Sequence, residues 1–185
     1  MSPFDASFFL TLLHLLGVAI GVGGAFFGDM LFFSATRNGI VSASELRLLV
    51  KAGKFIWVGL FVIVLSGAGL FFLDMDKYMA STKFLSKMSI VLVIAVNGVI
   101  FRAVHLKTLH RLVGVKLPSS AVFRKASIGM FISGAVSGAS WISALALGSL
   151  PSLPFSVAQI LSAYALIVLL ASLSALYMRK RFLRI

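Results

Sequence analysis

The sequence predicts an all-α polytopic membrane protein: a single bundle of five transmembrane helices, N-terminus outside and C-terminus in the cytoplasm. Three observations predict it. The 185 residues are 60% hydrophobic and 12% charged, whereas soluble chains run near half apolar and a quarter charged. Five apolar stretches each reach the ~20 residues a helix needs to cross a bilayer. Basic residues crowd alternate connections, as the positive-inside rule expects.

The stretches are Phe8 to Phe33, Phe55 to Leu73, Phe84 to Val104, Ser127 to Leu147 and Phe155 to Met178. Helices satisfy every backbone group internally, which hydrocarbon demands, and no stretch shows the alternation of a lipid-facing strand. Local start signals extend some of them. Ser42 followed by Glu45 fits a capping box ahead of the second helix, and Pro118-Ser119-Ser120 marks an early start for the fourth. The expected helices therefore run over about 8–33, 43–73, 84–106, 120–147 and 155–180, within one membrane-embedded domain, 1–185. The N-terminal Met1-Ser2-Pro3-Phe4-Asp5 lacks a basic n-region and enters an apolar run too long for a signal-peptide core, so it reads as an uncleaved first span.

Orientation follows from charge. Arg37, Arg47, Lys51 and Lys54 follow the first span. Arg102, Lys107, Arg111, Lys116, Arg124 and Lys125 follow the third, and Arg179, Lys180, Arg181 and Arg184 form the tail. These are fourteen of the seventeen basic residues; only Lys77, Lys83 and Lys87 fall on the other side, with Asp5, Asp74 and Asp76. The fourteen are expected in the cytoplasm. The net charge of +12 lies between apolar runs rather than on a folded basic face, which argues against nucleic-acid binding. The absence of cysteine excludes disulfides, thiolate metal sites and cysteine-ligated iron–sulfur clusters. No nucleotide-binding loop, Ser-His-Asp arrangement or zinc-spacing motif occurs.

Chemistry is expected where ionisable groups enter the spans. His14, Gly17, Gly21, Gly24 and Gly28 recur at three- and four-residue intervals and share one face of the first helix. Such a face suits close helix packing or the approach of a flat ligand. His14 lies about 9 Å inside the outer end of its span at ~1.5 Å per residue, at a depth similar to that of Lys87 on the third helix. Lys87 shares a stripe with Ile94, Gly98, Phe101 and His105; its long stem also suits snorkelling to the interface. Asp29 and Arg102 lie near the cytoplasmic ends of helices one and three, and Asp29 is expected to pair with Arg102, Lys54 or Lys51, since carboxylates in lipid pair. Asn97 suits an interhelical hydrogen bond. Gly129, Ser133, Ser137, Ser140 and Ala144 share a narrow face of the fourth helix beside Trp141, either a packing seam or the wall of a ligand pocket. His105 and His110 stand at the cytoplasmic edge, where solvation or headgroup contact is expected.

The run His14-Leu-Leu-Gly-Val-Ala-Ile-Gly-Val-Gly-Gly-Ala25 resembles the opening helix of a superfamily of small bacterial membrane proteins that includes the copper-resistance D family and the membrane-bound protoporphyrinogen IX oxidase family. Leu65-Ser66-Gly67-Ala68-Gly69-Leu70 resembles the end of their second helix, and Phe84-Leu85-Ser86-Lys87-Met88-Ser89-Ile90-Val91-Leu92 the lysine that opens their third. The resemblance spans roughly 10–101. It implies a b-type haem, with His14 as the metal ligand. Lys87 would be a second essential, catalytic group near the same site, paired with a propionate, ligating or donating a proton, and Gly17, Gly21 and Gly24 would give the macrocycle room. The function it implies is a haem-binding redox protein of the bacterial inner membrane, linked to a porphyrin or a quinone. The residues alone support two alternatives: a small ion or solute transporter or channel lined by Asp29, Asn97, Arg102 and the serine face, and a non-catalytic membrane subunit of a complex. The expected partners are the lipid bilayer, a quinone, porphyrin or redox partner, and a second copy of the chain.

Overall fold

The computed structural model describes residues 5–151 and 153–183; the four residues before Asp5 and the tail's Arg184 lie outside this range. Helices α1 (Ala6–Arg37), α2 (Ala43–Leu73), α4 (Thr82–Ile100), α6 (Ala121–Ser149) and α7 (Val157–Phe182) form the bundle, with short α3 (Met75–Met79) and α5 (Leu106–Arg111) between them. A π turn, Phe101–His105, joins α4 to α5 in one continuous rod, so five helical spans are long and apolar enough to cross a bilayer. Large apolar side chains face outward along them, among them Phe61 at 64% exposure, Leu92 at 65% and Leu170 at 55%. Such surface is stable only against lipid or another apolar partner, as befits a multi-pass membrane protein.

Local chemistry sets the helix starts. The Ser42 hydroxyl accepts from the Glu45 amide at 3.1 Å while the Glu45 carboxylate accepts from the Ser42 amide at 2.8 Å, the reciprocal capping box read from the sequence. Ser120 caps α6 by accepting from Phe123, and Ser156 with Gln159 forms a second capping box on α7. The ends differ more. α1 continues to Arg37 and the third span to Arg111, beyond their apolar runs, because backbone bonding continues into the polar connection. α3 is a single additional turn, capped by Asp74.

The spans run up and down, so the basic connections gather at one end. There the α1–α2 and α5–α6 connections join in two isolated bridges, Ile40 with Lys116 and Val41 with Val113. The Leu117 amide donates to the Gly39 carbonyl at 2.8 Å, with Gly39 at φ +72°, a left-handed conformation that glycine adopts without a Cβ penalty. Arg179 of α7 donates to the Ser127 hydroxyl at 2.7 Å and to the Arg124 carbonyl, fastening α7 to the start of α6. At the opposite end, the Lys83 ammonium donates to the Leu150 carbonyl at 2.6 Å.

Two apolar clusters fill the interior. One, at the basic end, centres on Phe32, Leu49, Leu109, Leu117, Met130 and Phe131. The other holds Ala25, Leu60, Ile63, Ile90, Ile94 and Trp141. Between them lies the cavity described next.

Candidate functional site: a polar cavity between two apolar clusters

α1 and α2 come together backbone to backbone. A Cβ on Gly17 would stand 3.0 Å from the Ile63 nitrogen and 3.1 Å from the Gly59 carbonyl oxygen; one on Gly24 would stand 3.1 Å from the Ile56 nitrogen; one on Gly59 would overlap the Gly21 backbone. A Cβ on Gly21 would also overlap the Trp141 indole. The space beside Gly17, Gly21 and Gly24 is thus taken by α2 and by Trp141, and the glycine face expected to seat a macrocycle works as a packing seam.

That seam brings Asp29, near the end of α1, against α6. Its carboxylate oxygens lie 3.6 Å and 3.8 Å from the Cβ positions of Gly134 and Gly138, a Gly-x-x-x-Gly pair that leaves room for the side chain. Asp29 makes no ion pair and no hydrogen bond with any described residue. This corrects the expectation that it would pair with Arg102, Lys54 or Lys51. Lys54 and Arg102 line the same cavity as Asp29 as exposed residues, and neither forms an ion pair with its carboxylate.

The cavity has a volume of about 230 Å³ and lies between α1, α2, α4 and α6. Ser133, Ser137 and Trp141, at four-residue intervals on α6, form one wall, and Asn97 and Gly98 on α4 another. The Asn97 amide donates to the Ser133 carbonyl at 3.0 Å and accepts from the Ser133 hydroxyl at 2.8 Å, a reciprocal pair that fixes α4 against α6. Trp57 of α2 lies over bare Gly98, its ring 3.3 Å from the Cβ position. Trp141 is 3% exposed, and its Nε1 has no acceptor among the described residues. An unsatisfied buried donor costs on the order of 1–3 kcal/mol. Lys54, Arg102 and His110 are exposed residues of the lining, and there the cavity meets the surface at the basic end.

The π turn shapes this rim. The Leu106 amide donates to the Phe101 carbonyl, five residues back, and the widened turn carries Phe101 and Arg102 on the cavity side. It also turns His105 inward: His105 is 7% exposed, its ring 2.9 Å from the Gly129 Cβ position and edge-on to Phe101. Solvation or headgroup contact, expected for His105 from its place in the sequence, is therefore corrected to burial between helices. His110 remains exposed, as expected.

Toward the opposite end, His14 Nδ1 lies 3.0 Å from the Ser66 hydroxyl, and its ring rests on Gly67. The Ser66 hydroxyl also lies 2.6 Å from the Val62 carbonyl, which takes up its hydrogen when the ring proton sits on Nδ1. Lys87 of α4 is close enough to act electrostatically on this ring, and Lys83 on Lys87. His14 and Lys87 thus lie within electrostatic range, while Gly17, Gly21 and Gly24 serve the helix seam. Among the described residues no three His, Cys, Asp or Glu side chains converge to hold a metal ion.

Sequence reasoning placed Asp29, Asn97, Arg102, Ser133, Ser137 and Trp141 correctly on their helices but missed Trp57, Gly134 and Gly138. The Gly134–Gly138 spacing was the available signal. No family model matches the chain, and no curated protein or solved structure matches it.

Proposed function

We propose that the chain is a membrane carrier for a small polar solute, with the Asp29 cavity as its binding site. The observation that supports this most is the unpaired Asp29 carboxylate in a cavity whose rim holds Lys54 and Arg102. A charge within a membrane bundle that forgoes its neighbours marks a substrate or ion path. A carrier fits better than an open channel, because beyond the cavity the bundle is filled by Ile90, Ile94, Leu60, Ile63 and the Gly21–Trp141 contact. The basic end is read as cytoplasmic by the positive-inside rule. The cavity then faces inward, the N-terminus lies outside and the C-terminus inside, in a bacterial inner membrane. The test is uptake into proteoliposomes of carbon-14-labelled small amines, carboxylates and amino acids. Uptake by the native chain and its loss in Asp29→Asn are expected; equal uptake in both would overturn the reading.

A second reading, a haem-binding redox protein, draws on the resemblance and on one further observation. With its ring proton on Nδ1 toward Ser66, His14 would present Nε2 to iron, and Lys87 lies within electrostatic range of the ring. A histidine beside a lysine suits haem; the occupied glycine face does not. A Soret band in native-membrane material, lost in His14→Ala and kept in His105→Ala, is the expected result. Colourless protein after haem supplementation would end it.

A further inference from the structure

Resting on the carrier reading, we propose that the solute is a small zwitterion, an amine bearing an anionic group. Its ammonium would sit at Asp29 and its anionic end at Arg102 and Lys54. The argument begins from charge. A carboxylate without a partner in low dielectric is costly, and so is a cation. Here Asp29, Lys54 and Arg102 line one cavity without an ion pair between them. A simple anion that answers Arg102 and Lys54 meets repulsion from Asp29, and a simple cation that answers Asp29 meets repulsion from the rim. A molecule carrying both charges satisfies both ends at once.

The remaining lining agrees. The Trp57 and Trp141 indoles are part of the lining, and aromatic rings attract an ammonium group. A metal ion is a poor fit, since the described residues bring no three acidic or histidine side chains together. The volume of about 230 Å³ is below the ~300–1,000 Å³ of drug-sized sites, which suits a molecule of amino-acid size.

The chain's two tryptophans both line the cavity, so intrinsic fluorescence of the purified full chain reports on its occupancy. Four transparent probes separate the possibilities: 5-aminopentanoate and 3-aminopropyl phosphate as zwitterions, pentylamine as cation only, and pentanoate as anion only. A saturable response at least tenfold tighter for one or both zwitterions than for either single-charge probe is expected, and the tighter of the two identifies the anionic group as carboxylate or phosphate. Asp29→Asn removes the preference over pentanoate, and Arg102→Gln the preference over pentylamine. Pentylamine or pentanoate binding as tightly as the zwitterions, or no saturable response to any probe, overturns the assignment. Uptake of the labelled probes into proteoliposomes decides the carrier reading separately. Asp29-dependent uptake of another solute keeps the carrier and discards the zwitterion; zwitterion binding without uptake keeps the ligand class and discards the carrier.

Discussion

The rim of the Trp141 indole lies against the bare Cα of Gly21, so close that a methyl group there would overlap the ring. This contact floors the cavity and joins α6 to the α1–α2 seam. Gly21→Ala must therefore displace the indole or separate the helices, at about 1–3 kcal/mol, the usual cost of overpacking. A lower denaturation temperature and a shifted Trp141 emission maximum, read in a Trp57→Phe background, are expected. Gly23→Ala, which meets nothing within 4 Å, should change neither.

Ser66 orients His14. Ser66→Ala removes the partner of Nδ1 at a cost of about 1 kcal/mol and releases the ring's tautomer. Nitrogen NMR of labelled histidine should show the Nδ1-protonated form dominant in the native chain and a mixture in the variant. Unchanged populations would mean that Ser66 does not set the tautomer.

The Asn97–Ser133 pair is a reciprocal bond inside the bundle. Only the Ser133 hydroxyl is removed by Ser133→Ala, since its carbonyl still accepts from Asn97. A double-mutant cycle with Asn97→Leu should therefore give a modest coupling, about 0.6 kcal/mol and at most ~2, the scale of hydrogen bonds between membrane helices. A coupling near zero would reduce the pair to a contact without energetic weight.

Two positions outside the apolar interior test the basic end. Ser42→Ala removes half of the α2 capping box and should cost about 1 kcal/mol. Gly39→Ala forces a side chain into left-handed backbone at a cost of about 1–2 kcal/mol. Both should loosen the loop pairing at Ile40 and Val41, detectable as faster amide exchange at Gly114 and Leu117, whose amides donate across it.

The number and place of the spans and the caps at Ser42 and Ser120 were legible in the sequence, because hydropathy, length and capping are properties of contiguous residues. The positions of His14, Lys87, Asp29 and Asn97 along their helices were legible too, since rise per residue fixes them. The lateral arrangement was not. Lipid is as apolar as a helix interior, so an apolar span carries little pattern to say which face meets a neighbour. Only the tertiary structure decided that Gly17 and Gly24 close on α2, that Gly134 and Gly138 admit Asp29, and that the π turn buries His105 while carrying Arg102 to the rim. Whether Asp29 pairs depended on distances between four helices, which no single stretch of chain encodes.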